Sequence, residues 1–140
     1  MKYLLDTNVV SEPETKYPHL KVIEWIAARD PLTLHISAVT FGEIEEGMAL
    51  LPDGNRRYRL ESWRDLLASA TGERVIPVGF EIATAWGALR ARVAREGRTM
   101  APLDAFIAAT AEVHDLILVT RNVRDFEAWG GRIFNPWRDA

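Results

Sequence analysis

The sequence predicts an α/β fold of three layers, a central, mostly parallel sheet with helices on both faces. Three observations predict it. Short apolar segments at 3–5, 32–36, 74–78, 117–119 and 132–134 have the length and composition of strands. Between them lie stretches whose apolar residues recur at three- and four-residue spacing, the period of an amphipathic helix. The two kinds alternate along the chain, the pattern of a parallel sheet covered on both sides.

Each element follows from its own residues. The first strand runs straight into Asp6-Thr7-Asn8, residues that readily cap a helix, so an acid is expected at a strand's end. Val22, Ile23, Trp25 and Ile26 suggest a helix. After the segment 32–36, Ser37 is a natural N-cap for a helix running toward Leu51. A loop is expected at 53–57 around Asp53-Gly54-Asn55; Leu60, Trp63 and Leu67 then share one helix face, suited to the core or to a partner groove. Pro77 marks the strand 74–78 as an edge or near its end. Ile82, Trp86, Leu89 and Val93 form a strong helical stripe that stops near Gly97, and a loop follows at 97–101. Pro102 opens another helix through His114, with Ile107, Ala108 and Ala111 on its apolar side. Trp63 and Trp86 fall on apolar stripes and are expected in the core, leaving Trp25, Trp129 and Trp137 freer for interfaces.

Composition narrows the chemistry. With 140 residues, 48% hydrophobic, and no repeat or linker, one domain spanning 1–140 is expected. There is no cysteine, and His19, His35 and His114 lack ligand spacing, so any bound metal would be held by oxygen. The apolar start is cut off by Asp6, too early for a signal peptide or a membrane span, and a cytoplasmic protein with no membrane association is expected. A net charge of −3 argues against a pure polyanion-binding module, so phosphate contacts must come from local basic groups.

Asp6, Glu43 and Asp104 stand out among the acids. In a parallel sheet ligands gather at the carboxyl ends of strands, where Asp6 is expected, although helix capping accounts for it equally well. Glu43 lies one turn from Val39 and from Gly47 and so can face inward, whereas Glu45 and Glu46 read as solvated. Asp104 comes early in its helix, where the helix dipole also favours it. Carboxylates brought together repel and raise one another's pKa, a conflict that a divalent cation resolves. An all-oxygen set suits Mg²⁺, with Mn²⁺ as a substitute, and Mg²⁺ commonly shares its sphere with phosphate. Phosphodiester hydrolysis follows as the candidate reaction.

These residues resemble a known family, the PIN-domain ribonucleases, and in particular the VapC-type toxins with a FitB-like ending. Leu4-Leu5-Asp6-Thr7-Asn8 is similar to the family's opening motif and Ser37-Ala38-Val39-Thr40-Phe41-Gly42-Glu43 to its second. Leu103-Asp104-Ala105-Phe106-Ile107-Ala108-Ala109-Thr110-Ala111 is similar to the third, Leu118-Val119-Thr120-Arg121-Asn122 with Asp125-Phe126 to the fourth, and Phe134-Asn135-Pro136-Trp137 to the ending. The resemblance implies a PIN-like α/β/α sandwich and a Mg²⁺-dependent endoribonuclease. Asp6, Glu43 and Asp104 would hold the metal or its waters, with Thr7 and Thr120 supporting them. Asn122 stands where many members carry a fourth acid, and Asp125 is the group that can compensate.

The resemblance further implies an RNA substrate, a homodimer and a cognate antitoxin that covers the acidic pocket, with an Arg suited to it. Arg121 and Arg124, beside the fourth motif, are the preferred phosphate contacts. Arg56, Arg57 and Arg59, and the group Arg90, Arg92, Arg95 and Arg98, read equally as solvated helix faces. A receiver-like binding domain would need paired acids after the first strand and a late lysine, and a haloacid-dehalogenase-type phosphatase would need an Asp at position 8, where this chain has Asn. The remaining alternative is a PIN domain that binds RNA or antitoxin without cutting, because Asn122 supplies no charge.

Overall fold

The computed structural model describes residues 1–140. Five strands form one sheet: β1 (Tyr3–Leu5), β2 (Leu34–Ser37), β3 (Val75–Ile76), β4 (Ile117–Val119) and β5 (Ile133–Phe134). Their order is β3-β2-β1-β4-β5, and every neighbouring pair is parallel. The helices between them are α1 (Thr7–Val10), α2 (Leu20–Ala27), α3 (Ala38–Ala49), α4 (Asn55–Thr71), α5 (Phe80–Arg95), α6 (Pro102–Val113) and α7 (Val123–Phe126). No helix is long and apolar enough to cross a membrane.

Strand alternation divides the core in two, because successive side chains leave a strand on opposite faces. Tyr3, Leu5, Ile36 and Val119 join Val9, Val22, Ile44 and Met48 on one side. Leu4, Ile76 and Leu118 join Leu89, Val93, Ile107 and Phe126 on the other. That is the three-layer sandwich expected from the sequence.

Several boundaries differ. Asp30 caps a 3-10 turn at Pro31–Thr33, so β2 begins at Leu34 rather than at 32. β3 is confined to Val75–Ile76, since Pro77 cannot donate to a ladder, and it lies at the sheet's edge as the proline suggested. The expected loop at 53–57 is largely helix: α4 starts at Asn55 directly after Gly54. Ser37 does cap α3, accepting from the Val39 N–H at 3.0 Å.

The tryptophans are placed differently from the expectation. Trp25 and Trp129 are buried, while Trp63 and Trp86 are only partly so. A helical stripe reports which face turns inward but not how completely a neighbour covers it, and a ring in a turn has no stripe to announce its burial. Trp25 packs edge-on to Tyr3 and stacks on Phe134, closing the edge beside β5. The Trp129 ring lies over Gly131, where an added Cβ would fall 2.1 Å from it, and Arg92 donates to the Ala128 and Trp129 carbonyls. Trp137 is half-buried.

Candidate active site

The sheet order reverses between β1 and β4, and the crevice outside the carboxyl ends of strands at such a point is the usual ligand site of an open parallel sheet. Asp6 and Thr120 are the first residues beyond those two strands. Asp6 prolongs the ladder, its N–H donating to Val119 O at 2.9 Å. Its Oδ1 accepts the Thr7 N–H at 2.8 Å, so Asp6 does cap α1, and capping and site placement coincide in one residue. Its Oδ2 accepts from the Thr120 hydroxyl at 2.8 Å and from Asn8 Nδ2 at 3.3 Å. Both lone pairs of Oδ2 are thereby engaged, and the remaining lone pair on Oδ1 is the one left for a ligand.

The other acids arrive from separate helices. Glu43, half-buried on α3, accepts from the Thr7 hydroxyl at 2.8 Å. Asp104, half-buried, sits in the first turn of α6 with Ala105, Ile107 and Ala108 packed beneath. Asp125 rises from α7 on the exposed side. Charge ties the set together. Burial, followed by repulsion from Asp6, Asp125 and Glu43, pushes the Asp104 carboxyl up to about 6. Burial also raises Asp6 against the opposing effect of its hydrogen bonds from Thr120, Thr7 and Asn8. Glu43 is raised by burial, with Asp6 and Glu46 adding to it and the Thr7 hydroxyl opposing. No three of these acids close to metal-bonding range around one point.

Every supporting residue named from the sequence is near this cluster, but not in the same way. Thr7 and Thr120 each donate a hydroxyl to an acid. The Asn122 side chain is exposed and makes no cap bond; its backbone N–H donates to Thr120 Oγ1 at 3.0 Å. Asp125 lies close enough for its charge to be felt by both Asp6 and Asp104. Asn8 does more than the sequence disclosed. Besides Asp6, its Nδ2 reaches Thr120 Oγ1 at 3.4 Å and its Oδ1 accepts the Arg121 N–H at 3.1 Å, tying α1 to the loop after β4. Nothing in the sequence separates this Asn from an ordinary helix-start residue. Asn8→Ala is expected to cost about 1–2 kcal/mol by stranding these partners, read as a lower urea midpoint with unchanged m-value.

The basic residues also sort themselves. Arg57 is engaged by Asp53 at 3.3 Å and Glu61 at 3.0 Å, and Arg92 by Glu96 and backbone carbonyls, so both are structural. Arg121 and Arg124 line an open cleft of about 430 Å³ with Asn122, Asp125 and Arg138, and the Arg121 guanidinium lies 5.3 Å over the Trp137 ring.

The pattern of the PIN domain matches residues 3–130, which include all four acids. The chain is a PIN domain. It is 38% identical to VapC ribonuclease Y4jK of Sinorhizobium fredii, covering 98% of this chain and 99% of that protein. Toxin FitB of Neisseria gonorrhoeae is 34% identical, over 97% of this chain and 99% of its own. The crystal structure of FitAcB from Neisseria gonorrhoeae superposes on this PIN domain with a TM-score of 0.92 at 32% identity, covering 97% of this chain and 99% of the other.

Proposed function

We propose that this PIN domain is a Mg²⁺-dependent endoribonuclease that hydrolyses RNA phosphodiester bonds in the cytoplasm as the toxin of a VapBC-type toxin–antitoxin pair. The observation that carries the reading is the meeting of Asp6, Glu43 and Asp104 at the carboxyl ends of β1 and β4, each with its carboxyl raised by burial and Asp104 by all its acidic neighbours. Such a set is poised for a hard cation. Relatives that carry the names ribonuclease and toxin over nearly the whole chain support the same reading.

The donor set fits Mg²⁺, or Mn²⁺ in its place, because it is entirely oxygen and its charges need neutralising. Asp6 and Asp104 would hold the ion, with Glu43 acting directly or through water. When bound, the ion supplies Lewis acidity toward a phosphoryl oxygen and lowers the pKa of a water. Thr120 and Asn8 fix the Asp6 carboxylate so that Oδ1 faces the ligand. Thr7 orients Glu43, and Asp125 adds negative charge at the open side. Arg121 and Arg124 contact the RNA backbone, with Trp137 holding the Arg121 plane in place.

An antitoxin is the expected protein partner. A groove of about 210 Å³ lined by Val10, Ile26, Leu34, Trp63 and Leu67 supports this, since Trp63 also lines the pocket of Thr7 and Glu43, and a segment seated there reaches the acids. Phe80, 87% exposed, and Leu103 supply apolar surface for a homodimer. The test is cleavage of a pool of structured RNAs by protein freed of antitoxin. Cutting with Mg²⁺ or Mn²⁺ that EDTA abolishes is expected; no cutting by folded, RNA-binding protein would establish the binding-only alternative.

A further inference from the structure

A second basic cleft, built from other residues than that of Arg121 and Arg124, adjoins the acidic site. Lys16, Arg56 and Arg59 line an open space of about 470 Å³ together with Pro13, Glu14 and Thr15. No hydrophobic residue lines it. Arg56 also lines the neighbouring pocket, together with Thr7 and Glu43, so the cleft is continuous with the proposed catalytic centre.

The arginines of α4 are not equivalent. Arg57 has Asp53 and Glu61, and Arg64 has Asp65 and Glu45, whereas Arg56 and Arg59 have no carboxylate partner. Their position is also unfavourable. α4 has no acid in its first turn and no side-chain cap at Gly54, and Asp53 just before it is taken by Arg57, so Arg56 and Arg59 lie near the positive end of the helix dipole with Glu14 the one carboxylate lining their cleft. Two unpaired guanidinium groups kept where the local field opposes them, in a cleft that opens onto a phosphodiester-cutting site, fit an incoming polyanion.

We propose that Lys16, Arg56 and Arg59 hold the phosphodiester backbone of the RNA a few nucleotides from the bond that is cut, positioning it across Glu43. This rests on the nuclease reading above. The strand then crosses the acidic centre between two basic clefts, this one and that of Arg121 and Arg124. The cations are positioning residues, acting on phosphates remote from the reacting atoms.

The test is binding of a fluorescein-labelled, mixed-sequence 12-nucleotide single-stranded RNA to the Asp104→Asn protein, which keeps the strand whole, followed by anisotropy between 50 and 300 mM KCl. Adding Arg56→Gln and Arg59→Gln is expected to weaken binding about tenfold at 100 mM salt and to flatten the slope of log affinity against log salt by about 1.4, at about 0.7 for each phosphate no longer neutralised. The charge-matched pair Arg95→Gln and Arg98→Gln, on α5 and the turn after it, lines neither cleft and is expected to leave the slope unchanged. Equal slopes for both pairs, or a loss confined to binding of an acidic antitoxin peptide, would overturn the proposal while leaving the nuclease reading standing. Absence of any RNA binding by the Asp104→Asn parent would overturn both.

Discussion

Asp104→Asn is expected to slow RNA cleavage by about 10³-fold or more while the protein stays folded. The amide keeps the size and shape of the carboxyl and replaces an anionic oxygen with an NH₂ group that cannot ligate a cation. Losses of about 10²–10³ are typical when one preorganised electrostatic interaction with a reacting centre is removed, and here the change also weakens the metal. The α6 backbone is insulated from the substitution, since Ala105, Ile107 and Ala108 carry the packing and the Asp104 side chain accepts no hydrogen bond that shapes the fold. The measurement is the single-turnover rate at saturating Mg²⁺ beside a thermal melt. Cleavage within about tenfold of the parent would remove Asp104 from the centre.

The second large effect is one of stability, and its sign is the reverse of what loss of a functional group suggests. The Asp104 carboxyl is raised from its ordinary 3.8 to about 6 in the fold, by burial and then by Asp6, Asp125 and Glu43. A raised acid contributes no penalty below its unfolded pKa, where it is protonated in both states. As pH rises from about 4 through about 6 the folded protein must accept a charge that it disfavours, and stability is lost over that window. Sealed from water the shift would be worth about 3 kcal/mol; for a half-buried side chain, solvent screening leaves about 1–2 kcal/mol. Metal-free Asp104→Asn protein is therefore expected to melt about 3–6 °C above the parent at pH 7.5 and level with it near pH 4. Added Mg²⁺ should narrow the gap by stabilising the parent more. Melting curves at both pH values in EDTA decide it: a gap of equal size at pH 4 and 7.5 would show that neither burial nor its acidic neighbours raise the Asp104 carboxyl.

The same coupling explains how far the site is legible in the sequence. Asp6 is ambiguous there between cap and site, and in the fold it is both: one oxygen caps α1 while the other is held by Thr120, 114 residues away. Asn8 illustrates the opposite case. Its bonds with Arg121 and Thr120 form only when β1 and β4 lie side by side, so no local pattern could announce them. The tryptophans depart from expectation for a related reason. Trp63 and Trp86 lie on regular helical stripes yet stay partly exposed, because the periodicity of a helix records the direction of its apolar face and not how completely a neighbour covers it. Trp25 shares with Val22 the buried face of α2 and is covered by Tyr3 and Phe134, and Trp129 lies in a turn, where no periodicity can report burial.

By itself the sequence determined the alternation of strands and helices, the three-layer class and the caps at Asp6 and Ser37, and it singled out Asp6, Glu43 and Asp104 as candidates. These depend on side-chain period and on bonds between residues a few positions apart, which the order of amino acids encodes directly. Only the tertiary structure decided that β1 and β4 adjoin, that Asn8 reaches Thr120 and Arg121, that Asp6 and Asp104 feel one another's charge, and that Arg56 opens onto the pocket of Thr7 and Glu43. Those facts depend on Coulomb and hydrogen-bond interactions across a few ångströms between groups tens of residues apart. Such distances exist only once the sheet has brought its strands together.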